Sequence, residues 1–193
     1  MKTLKTTLRL LVTENCNKDC SGCCNKQNQF ANIESLNLGL SHRSNWDYLR
    51  SFKEILLTGG EPMLYPESLK DIIFNIRTYH PSVKIYLYTA FIPGPVIMDI
   101  LNLVDGITLT LHDLDDREGF FAFSKTLANN PLYLLNKSMR LNIFKEAYIM
   151  DYYVDDDLFS LYDFGEKIWD KKHKLKWIEN CPLPDHEEIR KLI

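Results

Sequence analysis

The stretch from Glu54 to Thr89 runs EILLT, then Gly59-Gly60-Glu61-Pro62, then a helical segment, then VKIYLYT from Val83. No other feature constrains the fold as much. A strand, a helix and a second strand in that order imply two parallel strands joined by a right-handed crossover. The helix between them is well marked. Pro66 suits its first turn, Glu67 complements the N-terminal dipole, and Pro81 lies just past its end. Leu69, Ile72, Ile73, Ile76 and Tyr79 recur on one face.

The same alternation extends in both directions. Thr7 to Thr13 (TLRLLVT) reads as a buried strand ahead of this unit. A helix over Asn45 to Phe52 leads into EILLT. Beyond Thr89, Pro95 to Val104 reads as a short helix with Val96, Ile97, Ile100 and Leu101 inward. Ile107 to His112 (ITLTLH) alternates as a strand, with Thr108, Thr110 and His112 on one face. Glu118 to Asn129 reads as a helix and Met139 to Phe144 (MRLNIF) as a strand. Asp155 to Trp169 and Asp185 to Leu192 read as two further helices.

The expected fold is therefore α/β: a partial, open βα barrel of about five to six parallel strands with outer helices, too few to close an eight-stranded barrel. With no Pro/Gly/Ser linker, the 193 residues are read as one domain. Its core runs from about residue 7 to 145, and residues 146–193 form a C-terminal extension. Sites in such sheets lie beyond the C-terminal ends of the strands.

That rim is where the cysteines fall. Four of the five sit in CNKDCSGCC, as Cys16, Cys20, Cys23 and Cys24, directly after the first strand; the fifth is Cys181. The segment from Cys16 to about Leu40 reads as a long loop, and long loops in compact domains usually carry function. Cys16-x3-Cys20-x2-Cys23 can bring three thiolates to one centre, a donor set that suits zinc or iron–sulfur. A structural zinc site usually closes with four ligands in two separated pairs, and no second pair follows here. Cys24 is adjacent to Cys23, so the two side chains diverge; it and Cys181 are read as incidental or structural thiols. A zinc-stabilised binding module stays open as the non-enzymatic reading.

Gly59 and Gly60 let backbone approach a partner without Cβ obstruction, and Glu61 supplies a carboxylate for an ammonium group. Thr110 and His112 end the fourth strand, where ligands are often met. Arg140 and Asn142 share a face of the fifth and are read as solvent-facing or structurally hydrogen-bonded. Asp113 to Asp116 and Asp155 to Asp157 are read as solvated turns or helix caps. The Tyr-rich segment Tyr148 to Tyr153 is read as packing.

Composition excludes other classes. The chain is 45% apolar and 25% charged with a formal net charge of −3, and its Lys and Arg are scattered. Neither nucleic-acid nor membrane-surface binding is expected. The N-terminal MKTLKTTLRLLVTENC is not read as a signal peptide, because its apolar run is short and carries Arg9. A cytoplasmic protein is expected, and there clustered thiols serve as ligands or catalysts.

C-x3-C-x2-C after the first strand, followed by G-G-E after the second, resembles the radical S-adenosylmethionine superfamily. The resemblance implies that Cys16, Cys20 and Cys23 hold a [4Fe–4S] cluster whose fourth iron binds the amino and carboxylate groups of S-adenosylmethionine. Reductive cleavage would yield methionine and a 5′-deoxyadenosyl radical that abstracts hydrogen. It implies that Gly59, Gly60 and Glu61 hold the methionine ammonium and that Thr89, beside Ala90, contacts the same cofactor. Gly22 departs from the aromatic residue many members carry before the third cysteine. CSGCCNKQNQF and LLTGGEPMLYPESLKDIIFNIRTYHPSVKIYLYTAF are similar to segments of activating enzymes of anaerobic ribonucleotide reductase, over roughly the first 110 residues. That likeness implies a glycyl radical enzyme as partner and a flavodoxin or ferredoxin as electron donor. A second likeness, in the Gly-Gly-Glu-Pro turn, is to 7-carboxy-7-deazaguanine synthase and implies a small-molecule substrate.

Overall fold

The computed structural model describes residues 4–20, 22–23, 33–38, 43–147, 168–169, 171–175 and 183–193. They form one sheet of strands β1 (Thr7–Thr13), β2 (Ser35–Leu36), β3 (Glu54–Gly59), β4 (Lys84–Thr89), β5 (Gly106–Leu111), β6 (Ser138–Phe144), β7 (Lys171–Leu175) and β8 (Glu187–Leu192). The helices are α1 (Arg43–Leu49), α2 (Pro66–Tyr79), α3 (Val96–Leu103) and α4 (Asp116–Asn129). Strand order is β2-β8-β1-β3-β4-β5-β6-β7, and all seven pairings are parallel. The sheet is open, with β2 and β7 at its edges, so the α/β open architecture expected from the sequence is the one formed.

One face of the sheet is the core. Leu8 and Leu10 of β1, Ile55 and Leu57 of β3, Ile85 and Leu87 of β4, Ile107 and Leu109 of β5, and Met139 and Leu141 of β6 are buried together. The helices cover them with amphipathic faces: Leu69, Ile73 and Ile76 from α2, Ile97, Ile100 and Leu101 from α3, Phe120, Phe123 and Leu127 from α4. Each fully buried aliphatic side chain contributes about 1.5–3 kcal/mol relative to exposure. Ile72 and Tyr79, also expected on the inner face of α2, are only partly buried at its margin. Trp169 packs against Phe120 and Phe123 and donates to Ser124 Oγ at 3.3 Å.

Two details are corrected. Among the described residues the sheet has eight strands rather than five to six; the extra ones escaped the sequence because β2 is only two residues long and β7 and β8 carry no apolar alternation. Asp185 to Leu192, expected as a helix, contains strand β8, inserted between β1 and β2. Its EEIRKL sequence is built of good helix formers, but the open edge of β1 offers a full row of backbone partners and overrides that propensity. Side chains then lock the pairing: Glu187 takes Arg9, and Glu188 accepts from Tyr48 Oη at 2.5 Å. The expected helix over Asp155 to Trp169, the Asp155 to Asp157 run and the Tyr148 to Tyr153 segment lie outside the described residues, save Ile168 and Trp169. Cys24 and Cys181 lie outside them too. Among the described residues, no helix is long and apolar enough to cross a membrane.

Candidate metal centre

Strand β1 delivers the chain to the cysteines beside the end of β3. The β1–β3 register shifts between Leu11 and Thr13, so that Thr13 pairs with Gly59. Past this bulge, Gly60 N donates to Thr13 O at 2.7 Å and Glu61 N donates to Asn15 O at 2.8 Å. The glycines make that approach possible. A Cβ on Gly59, which sits at φ +130°, would lie 2.2 Å from Thr13 O, and one on Gly60 would lie 2.0 Å from Asn15 O. The Gly-Gly-Glu turn is thus bonded directly to the segment that enters Cys16. Asn15 Nδ2 also donates to Tyr65 Oη at 2.7 Å, tying the same segment to the N-terminal end of α2.

Glu61 is 2% exposed and its carboxylate is fully engaged. It accepts from Thr89 Oγ1 at 2.6 Å, Ala90 N at 2.8 Å and Met63 N at 2.9 Å. The structure therefore brings together Glu61 and Thr89, two residues singled out from the sequence, as a clasp between the ends of β3 and β4. Burial pushes the Glu61 carboxyl above the usual carboxylate range, against the opposing pull of the Thr89 hydroxyl and the Ala90, Met63 and Phe91 amides.

Cys16 is exposed, Cys20 and Cys23 are half-buried, and all three are free thiols. Cys23 N donates to Cys20 O at 3.3 Å, which folds the second and third cysteines into one turn. Burial, then the charges of Cys23 and Cys16, push the Cys20 thiol up to about 11. The three sulfurs thus lie within electrostatic reach of one another. Among the described residues, no three His, Cys, Asp or Glu side chains meet closely enough to hold a single metal ion. An all-thiol set spread around one turn suits a polynuclear iron–sulfur cluster, which takes one thiolate per iron.

A salt-bridge network that the sequence reading missed anchors this turn. Lys18 Nζ lies 2.7 Å from Asp116 Oδ1 and 3.0 Å from Asp113 Oδ2. Asp116, read from sequence as part of a solvated run, has a side chain only 5% exposed. Its other oxygen accepts from His112 N at 2.7 Å. The rim positions of Lys18, just after the first strand, and Asp116, just after the fourth predicted strand, were the only sequence signal for this pairing. His112 stacks on Phe144 with centroids 5.2 Å apart. Burial holds its imidazole below the usual range, outweighing the opposite influence of Asp116 and Asp113. Thr110 accepts from Asn142 Nδ2 at 3.5 Å on the same side of the sheet. Gly22 lies in the cysteine turn and presents no side chain there.

Residues 6–112 match the family model described as "4Fe-4S single cluster domain". The chain belongs to this family. The match covers more than half of the chain and runs from the entry to β1 through His112. It therefore includes the cysteine turn, the Gly-Gly-Glu turn, Thr89 and Thr110. A 4Fe-4S single cluster domain needs thiolates, and the described thiols are Cys16, Cys20 and Cys23. No curated protein matches the chain.

Proposed function

We propose that this protein is a radical S-adenosylmethionine enzyme, with Cys16, Cys20 and Cys23 as the ligands of its cluster. The observation that carries the reading is the pair of backbone bonds joining the Gly-Gly-Glu turn to Thr13 and Asn15, which puts both motifs at one rim. When bound, a [4Fe–4S] cluster with one iron left open supplies the electron for cleaving S-adenosylmethionine to methionine and a 5′-deoxyadenosyl radical. Cys16, Cys20 and Cys23 would each hold one iron of such a cluster, and the fourth iron would stay open to S-adenosylmethionine. Lys18, tied to Asp113 and Asp116, holds the cysteine turn against the end of β5. Glu61 acts here by orienting the strand ends, since its carboxylate is already shared among Thr89, Ala90 and Met63. The backbone of Gly59 and Gly60, the part of the turn without side chains, would lie beside the methionine ammonium. Burial disfavours the charged form of His112, which suits a rim that would accept a sulfonium.

For the finer reaction, the likeness of the cysteine and Gly-Gly-Glu segments to activating enzymes of anaerobic ribonucleotide reductase supports hydrogen abstraction from a glycine of a partner protein. A flavodoxin or ferredoxin would then be the electron donor. The test of the chemistry is anaerobic reconstitution, reduction with dithionite and assay for 5′-deoxyadenosine. Product that vanishes in Cys20→Ala supports the reading; no product from an iron-loaded protein contradicts it. The partner reading is tested separately, by co-elution with a glycyl radical enzyme and appearance of its glycyl radical signal.

A further inference from the structure

The face of the sheet opposite the helices carries two arginine–tyrosine pairs. Arg9 of β1 lies over the ring of Tyr88, its guanidinium carbon 5.4 Å from the centroid. Arg140 of β6 lies over the ring of Tyr86 at 5.7 Å. Tyr86 and Tyr88 are two apart on β4, so they share a face. Register places Gly106 of β5 beside Tyr86 and Thr108 beside Arg140.

The two pairs differ in one respect. Arg9 has a counterion: its Nε and Nη2 donate to Glu187 Oε2 at 2.9 and 2.8 Å. Arg140 has none among the described residues, and its Nε is buried without an acceptor. The residues in register with Arg140 on the neighbouring strands are Thr108 and Lys171, neither of them acidic. Glu54, on the same face, accepts from Thr7 Oγ1 and makes no ion pair with Arg140. A guanidinium with a buried, unmatched donor is costly unless a ligand supplies the acceptor. Its planar fork matches carboxylate and phosphate oxygens.

We infer that Arg140, backed by Tyr86, is an anion-binding subsite on the face of the sheet opposite the described helices, for a carboxylate or phosphate group of the substrate. The assignment to substrate rests on the radical enzyme reading; the anion site itself is read from the side chains alone.

The test uses the full-length reconstituted protein and inorganic phosphate as probe. Calorimetric titration should show saturable binding that Arg140→Gln weakens at least tenfold. Lys84→Gln, which removes an exposed cation from β4, the strand of Tyr86, should change it less than twofold. Equal binding by wild type and Arg140→Gln, or no binding to wild type, overturns the subsite. Should Arg140→Gln fold poorly, side-chain ¹H–¹⁵N spectra of the wild type decide. Phosphate should move the Arg140 Nε–H resonance and leave that of Arg9 in place, and an unmoved Arg140 resonance overturns the subsite. A parallel equilibrium dialysis with S-adenosylmethionine separates the two sources of an anion. Affinity unchanged within about twofold in Arg140→Gln supports a substrate anion. Affinity lost together with phosphate binding assigns Arg140 to the cofactor carboxylate and overturns the substrate assignment. Phosphate binding in a protein that takes up no cluster upholds the anion site while removing the radical reading.

Discussion

The two faces of the sheet are built from alternate residues of the same strands, yet they have opposite chemistry. On β4, Ile85 and Leu87 are fully buried under the helices, while Tyr86 and Tyr88 on the other face are half-buried beneath two arginines. On β6, Met139 and Leu141 belong to the core, while Arg140 and Asn142 face away from it. Strand periodicity thus interleaves an apolar core face and a polar face along a single chain segment. The difference teaches that burial alone does not mark the site. Thr108, Leu56 and Leu11 are buried on the polar face too, without joining the main core cluster.

Substitutions should separate the faces. Leu57→Ala, at a fully buried core position, should cost about 2–5 kcal/mol in urea unfolding. Tyr86→Phe on the other face should stay within about 0.5 kcal/mol, and equal costs would break the distinction. At the rim, Gly60→Ala forces a Cβ to within 2.0 Å of Asn15 O. It should cost about 1–3 kcal/mol and abolish most iron incorporation, measured by denaturation and metal analysis. Lys18→Met leaves the Asp116 carboxylate, 5% exposed, without its cation. A loss of about 1–2 kcal/mol is expected, with faster removal of iron by a chelator than in wild type. The smallest effect is on pH dependence. His112 titrates below its unfolded value of about 6.5, so the unfolded chain binds its proton first. Its contribution to stability is complete above that value and is lost as pH falls below it. His112→Gln should flatten the stability profile below about pH 6.5, while an unchanged slope would place the titration elsewhere.

Strands β1 and β3 to β6 and helices α2 to α4 were legible in the sequence because each carries its own period, and Gly59, Pro66, Pro81, Pro95 and Gly106 mark several of the boundaries. Strands β7 and β8 were not. KKHKL and EEIRKL carry no apolar alternation, and β8 is held by partners far along the chain, Arg9 and Tyr48. The site divides the same way. The cysteine spacing and the Gly-Gly-Glu turn are local signals and were readable. What the glycines pack against was not, because Thr13 and Asn15 meet them only through the β1–β3 bulge. Lys18 and Asp116 are joined only by the fold. Arg140 could be assigned to a face from MRLNIF, but the absence of a counterion among the described residues is a property of its neighbours on other strands.

The most direct test of the account is electron paramagnetic resonance of the dithionite-reduced, anaerobically reconstituted protein, recorded with and without S-adenosylmethionine, alongside iron, sulfide and zinc analysis. The account predicts about four irons and four sulfides per chain. It also predicts a reduced-cluster signal that changes shape when S-adenosylmethionine is added, with both lost in Cys20→Ala. Stoichiometric zinc without sulfide, or a cluster signal indifferent to S-adenosylmethionine, would contradict it.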